Sequence, residues 1–325
     1  MVTALYILLA SVPLFAQPDT SNLVWPLPPD QPRIKFLQSV TSIQQPESKK
    51  GFFAKVLGFL FGGEQQSGWF VQPVGIVVSG TGIIYVTDPG ANGIHVLNLA
   101  KQEYDFLRDT KYGKLRSPVG CAIDADGNLY ISDSERGDVI VLNKDLEAFI
   151  EVKSHLQRPT GIQVVGDSVY VADAGLHEIV AFDRKGNFKF EFGRHGSGAG
   201  EFNYPTHLIV RDSISVVDAL NYRIQTFDRA GHFGSTYGDL GNVAGRFAAP
   251  KSIALDSDGN EYVTDALMDN IQIFNRAGAL LLIVGKKGSN NGEFLSPSGI
   301  FIDSKDRIYV VDALNRRLQI FSYLK

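Results

Sequence analysis

Six aspartates close the same short run along the chain: Tyr85-Val-Thr-Asp88, Tyr130-Ile-Ser-Asp133, Tyr170-Val-Ala-Asp173, Ser215-Val-Val-Asp218, Tyr262-Val-Thr-Asp265 and Tyr309-Val-Val-Asp312. A ring of carboxylates is an oxygen set that could hold a divalent cation such as calcium. Their regularity favours a structural role instead, because an aspartate present in every copy of a repeat can accept hydrogen bonds from the backbone N–H groups of the loop that follows it. Asn221, Arg223, Asn315 and Arg317 are placed to share that network.

The histidines are the other candidates. His155, His177 and His195 fall in segments that read as loops, and His207 stands two residues after Pro205, where four other copies have Gly75, Gly120, Gly161 and Gly299. With Lys251 these four histidines form the candidate binding set, and His207 is the candidate metal ligand. Zinc needs three or four converging donors. No cofactor is therefore predicted, with zinc or calcium as the alternative. Lys251, Arg116 and Arg158 lie near the same strand openings and could form an anion-binding mouth. The run Gly193-Arg-His-Gly-Ser-Gly-Ala-Gly200 lacks the Lys-Ser/Thr and the helix of a phosphate loop, so it reads as a connection. No Ser/His/Asp order, paired-acid motif or zinc-protease helix stands out.

The elements that position these residues are six repeats. Each opens on a proline (Pro73, Pro118, Pro159, Pro205, Pro250, Pro297), runs into an apolar strand, continues through the strand ending in aspartate, and adds a third strand carrying Leu97, Leu142, Phe182, Phe227, Phe274 or Phe321. Turn signals such as Asp126-Gly127, Lys185-Gly186, Ala230-Gly231 and Ala277-Gly278 separate the strands. Phe202, Phe247 and Phe294 end matching glycine-rich connections and are expected to plug the junctions between repeats.

This pattern of Gly-Ile, Tyr-Val-x-Asp and Ile-x-x-Phe resembles the NHL-repeat family over about residues 73 to 325. The resemblance implies an all-β, six-bladed β-propeller of four-stranded antiparallel blades around a central channel. The last repeat is short of a strand, and Arg33 to Thr41 alternates suitably to close it, removing both sheet edges. Peptidylglycine amidating lyases also resemble this pattern and hold zinc on channel-facing histidines. Here only His207 occupies an inner-strand position, which puts that chemistry in doubt. In such a ring the inter-blade loops and the loops between second and third strands share one face, so the four histidines are expected to gather there near blades 2 to 4.

Composition bounds the rest. Hydrophobic residues make up 44% and charged residues 20%, as in ordinary globular proteins, and the net charge of −4 offers no basic field for nucleic acid. The single Cys121 excludes an intramolecular disulfide and a cysteine-rich zinc cluster. Residues 4 to 15 form an apolar run of secretory length, so 1–16 reads as a signal peptide, 17–32 as a Pro-rich linker, and the expected location as periplasmic or secreted. Residues 49–63 read as a short helical insertion. Its Phe52, Phe53, Leu57, Phe59, Leu60 and Phe61 form an apolar stripe beside lysines, a lid or a surface for docking a partner or membrane. The expectation is a monomeric binding or scaffold propeller outside the cytoplasm, engaging a protein, peptide or glycan. The alternatives are a metal-assisted lyase or hydrolase at the channel mouth and an RNA-binding module.

Overall fold

The computed structural model describes residues 23–41 and 70–325. Their strands form six antiparallel blades whose inner strands touch one another in a closed cycle. These inner strands are Ile76–Val78, Pro118–Ile123, Pro159–Val165, Pro205–Val210, Pro250–Leu255 and Pro297–Ile302. In every blade the chain steps outward as a meander. The turns between second and third strands and the inter-blade loops therefore open on one face, and the remaining hairpins on the other.

Blade 6 takes its fourth strand from the far end of the chain. Ile34–Val40 pairs antiparallel with Arg317–Tyr323, setting Phe36 opposite Phe321 and Val40 opposite Leu318. The Pro-rich stretch read as an extended linker folds back in part: Val24–Trp25 adds a fifth strand against Ile34 and Lys35. Trp25 packs edge-on against Phe321 with ring centroids 5.7 Å apart. Burying that indole outweighs the extended preference of the neighbouring prolines. The segments read as a signal peptide (1–16) and as a helical insertion (49–63), the latter with its phenylalanines and leucines, lie outside the described residues.

The second strands explain their own sequence. Glu261–Asp265 and Ile214–Asp218 are buried along their whole length because neighbouring blades cover both faces. A strand covered on both sides reads as a continuous apolar run, whereas a half-exposed strand alternates.

Three devices close the junctions, the last of them at all six. Phe202, Phe247 and Phe294, all fully buried, fill the seams between consecutive blades, with Phe202 among Ile179 and Ala181 of blade 3 and Leu208 and Phe227 of blade 4. Gly193, Gly238 and Gly285 lie under these rings at φ of +101°, +87° and +89°, where a Cβ would strike the phenyl carbons. Nearer the axis, Gly75, Gly120 and Gly299 face the carbonyls of Val119, Thr160 and Val74 so closely that no Cβ fits. The third device is a belt of hydroxyls, each donating to a carbonyl of the next inner strand. Thr87 reaches Val119 (2.7 Å), Ser132 reaches Thr160, Thr160 reaches Pro205 (3.0 Å), Thr206 reaches Lys251 (2.9 Å), Thr264 reaches Ser298 (2.6 Å) and Ser298 reaches Val74 (3.1 Å). Where the residue before the aspartate is apolar, as at Ala172, Val217 and Val311, the hydroxyl comes from the residue after the proline instead.

Candidate functional site

All six repeat aspartates are fully buried. Asp173 accepts the N–H groups of Gln157 (2.7 Å), Arg158 (3.0 Å), Gly175 (2.9 Å) and Leu176 (3.0 Å). Asp265 does the same with Ala248, Ala249, Leu267 and Met268. Each carboxylate thus ties the loop entering its blade to the turn that follows the aspartate, which is more than the following loop alone. Asp88 adds His95, 3.1 Å away, itself 3.1 Å from the Tyr104 hydroxyl. Burial works to raise the Asp88 pKa, but the hydrogen bonds from His95, Val71 and Gln72 prevail and lower it. Among the described residues no three His, Cys, Asp or Glu side chains stand together in a way that could hold a metal ion.

The four candidate histidines do not converge. His155 lies toward the rim, stacked on Phe188 with centroids 4.0 Å apart and 3.7 Å from Glu191. His177 and His195 meet edge to face at 4.5 Å, and His177 Nδ1 accepts the Tyr204 N–H at 3.1 Å. Burial and the neighbouring His195 lower the His177 pKa. His207 alone enters the channel. The expectation of one gathered set therefore gives way to three places, because the shared face does not fix how far from the axis each loop stands. Among the described residues His207 belongs to no group of three His, Cys, Asp or Glu side chains that could hold a metal ion. Lys251 stands exposed at the channel mouth, its carbonyl accepting Thr206.

The channel is a second place of interest. About 360 Å³ of space open to water runs between His207 and the opposite face, walled chiefly by Ile76, Val78, Ile123, Ile209, Ile253 and Ile302. The N–H of Ile253 points at His207 Nδ1 at 3.4 Å, so the ring proton sits on Nε2. Burial among these aliphatic walls pushes the His207 pKa down to about 4. The ring is a neutral donor in a channel whose aliphatic walls also carry Gln163 and Asp124.

Sequence reasoning missed the most exposed apolar surface. Leu220, Leu267 and Leu314 occupy the same place in the turns of blades 4, 5 and 6 and are 51%, 73% and 62% exposed. Leu240 and Val243, in the loop leading into blade 5, extend this arc. The signal was present as a thrice-repeated Asp-Ala-Leu at Asp218, Asp265 and Asp312. Arg116, Arg158, Lys251, Lys287 and Arg316 stand exposed on the same face with no carboxylate paired to them among the described residues.

Residues 151–238 and 251–323 match the DUF5128 family, described as a 6-bladed beta-propeller. No curated protein sequence matches the chain. Among solved structures the chain is similar to an auxiliary nutrient binding protein from Bacteroides thetaiotaomicron (14% identity, TM-score 0.63, 80% of this chain and 71% of that one). It is also similar to a gluconolactonase from Xanthomonas campestris (13%, 0.62, 89% and 98%) and to a streptogramin B lyase (14%, 0.58, 78% and 94%). At these identities the likeness is one of fold.

Proposed function

We propose that this six-bladed β-propeller is a binding or scaffold module outside the cytoplasm that engages a protein or peptide through the loop face of blades 4 to 6. The observation that carries the reading is the arc of Leu220, Leu267 and Leu314, three leucines held out at one turn position by adjacent blades. Large aliphatic side chains left in water are costly, and an arc of them rimmed by cations suits the apolar face of a partner carrying acidic residues. Leucines rather than aromatic platforms favour a protein or peptide over a glycan. A metal-assisted lyase or hydrolase would need ligands that the aspartates, already committed to loop N–H groups, do not supply. The Tyr-Val-x-Asp and Ile-x-x-Phe repeats support an NHL-type assignment, and the apolar run at residues 4–15 supports export.

The test is photo-crosslinking in the native cell with benzoylphenylalanine in place of Leu267 or Leu314, and of Lys185 on the opposite face as control. A discrete protein adduct from 267 and 314 but not from 185 is the expected result. Adducts from none of the loop-face positions, or equally from Lys185, would overturn the assignment.

A further inference from the structure

Resting on that reading of the loop face, we propose that blade 5 takes a guanidinium, an arginine side chain of the partner, into the position that Arg223 and Arg317 fill in the blades on either side.

Those two arginines do the same work. Arg223 Nε donates to Asp218 at 2.8 Å, while its Nη groups donate to the carbonyls of Ser197, Gly198 and Glu201, each at 2.8 Å. Arg317 repeats this with Asp312 (2.7 Å) and the carbonyls of Ser289 (2.7 Å), Asn290 (2.8 Å) and Glu293 (2.9 Å). Each arginine lies directly opposite its aspartate in strand register.

Blade 5 keeps the loop and lacks the arginine. The loop from Gly238 to Phe247 has the backbone bonds of its siblings: Phe247 N–H to Asp239 (2.9 Å), Gly241 N–H to Phe247 (3.0 Å) and Arg246 N–H to Val243 (3.1 Å). The Gly245 N–H meets Gln272, as Gly200 meets Gln225 and Gly292 meets Gln319. Opposite Asp265, however, stands Asn270. Asn270 is 7% exposed and its Oδ1 is buried with no hydrogen-bond partner. Met268 replaces the asparagine of the sibling turns, and the second Gln272 N–H points at its sulfur at 3.7 Å rather than at the aspartate.

The carbonyls of Asn242, Val243 and Arg246 therefore lack the guanidinium donors that their counterparts receive; that of Val243 keeps the Arg246 N–H and that of Arg246 keeps Gln272. Asp265 has four N–H donors and no cation. Around this point stand Leu240, Val243 and Leu267, so an arginine flanked by apolar residues matches both the oxygens and the rim. A guanidinium fits better than an ammonium because its planar fork serves several carbonyls at once and sheds water more readily. The unbranched Met268 side chain can move aside to admit it.

Met268 and Met1 are the only methionines, so methyl-¹³C-methionine labelling of the full chain puts one reporter at the site. The probes are acetyl-Leu-Arg-Leu-amide and its Lys and Gln counterparts. The Met268 methyl signal is expected to shift saturably with the arginine peptide, and the others to bind about tenfold more weakly, the loss of one charge-assisted set of hydrogen bonds. Asn270→Arg, which supplies the guanidinium from within, is expected to abolish the response. No saturable shift, an equal response to the Lys or Gln peptide or to calcium chloride, or an undiminished response in a folded Asn270→Arg protein would overturn the proposal. The peptide comparison on the unaltered chain decides even where that variant does not fold. Crosslinks at Leu267 and Leu314 without a Met268 response to arginine would defeat this inference and leave the binding face standing; a Met268 response without any adduct would do the reverse.

Discussion

Blades 3 and 6 lock the loop that enters them onto the same aspartate by different means. In blade 3 the connection from Val152 to Pro159 is short, and backbone N–H groups alone surround Asp173. In blade 6 the connection from Val284 to Pro297 makes a longer excursion, and Asp312 accepts one backbone N–H, from Leu295, together with the side chains of Asn315, Arg317 and Gln319. The difference is one of reach. A short loop can bring its own amides to the carboxylate, whereas a long one turns carbonyls inward that need donors, and side chains three, five and seven residues after the aspartate supply them. Blade 5 has the long loop on an aspartate of the blade 3 kind, which is why its carbonyls are left short of donors.

The largest effect is expected from removing the strand that completes blade 6. Deleting residues 1–41 strips Ile34–Val40 from Arg317–Tyr323 and opens a sheet edge that templates aggregation, while blade 3 is left intact. Size-exclusion chromatography should show aggregate or unfolded chain; a monomer melting at the full-length temperature would mean that the ring does not depend on this closure.

Next come the aspartates. Asp312→Ala strands the buried Arg317 charge and should cost about 3–5 kcal/mol. Asp173→Ala, which leaves only neutral N–H groups unpaired, should cost about 1–3 kcal/mol, and Asp265→Ala the same. Urea unfolding of the three proteins ranks them, and an equal loss at all three would erase the distinction between the two locks.

His207 sets blade 4 apart from the four blades that carry glycine at that position. Its folded pKa of about 4 lies below the ordinary value of 6.5, so the unfolded chain binds the proton first as the pH falls. Stability relative to His207→Gln should therefore be full above pH 6.5 and decline between pH 6.5 and 4. Because channel water screens the ring, the decline should reach about 1–2 kcal/mol. Urea midpoints at pH 7 and pH 4.5 measure it, and parallel pH profiles for the two proteins would contradict the neutral, channel-buried ring.

The smallest expected effect concerns the hydroxyl belt. Thr264→Val should lower stability by about 1 kcal/mol through the Ser298 carbonyl it leaves unmatched, and Thr206→Val by a similar amount. Denaturant titration of both compares the two sources of hydroxyl, and no measurable loss in either would show that water replaces the belt.

Much of this architecture was legible in the residues. The Tyr-Val-x-Asp runs read as strands, the matching Gly-x-Phe connections as plugs of the junctions, and the alternation from Arg33 to Thr41 coincides with the strand that closes blade 6. The hydroxyl belt went unread, although Thr87, Ser132 and Thr264 precede an aspartate where Thr160, Thr206 and Ser298 follow a proline. Each of these depends on one repeat and its immediate neighbour, and repetition exposes such constraints.

The candidate site was legible only by face. Topology assigns His155, His177, His195 and His207 to loops and an inner strand, but the tertiary twist of each blade decides which reaches the rim, which pair meets and which faces the channel. The exposed leucines had their signal in Asp-Ala-Leu, yet an apolar residue in a repeat reads first as core. Nor could the sequence show that Asn270, at the register position that Arg223 and Arg317 fill in the adjacent blades, is buried without a donor, because that depends on the loop from Gly238 to Phe247 that folds over it. The chain's own residues thus determined the repeat, its strands and its locks, which are local or nearest-neighbour properties. The folded ring alone decided radial position and unmet hydrogen-bonding capacity, because both depend on the sum of contacts made by segments far apart in sequence.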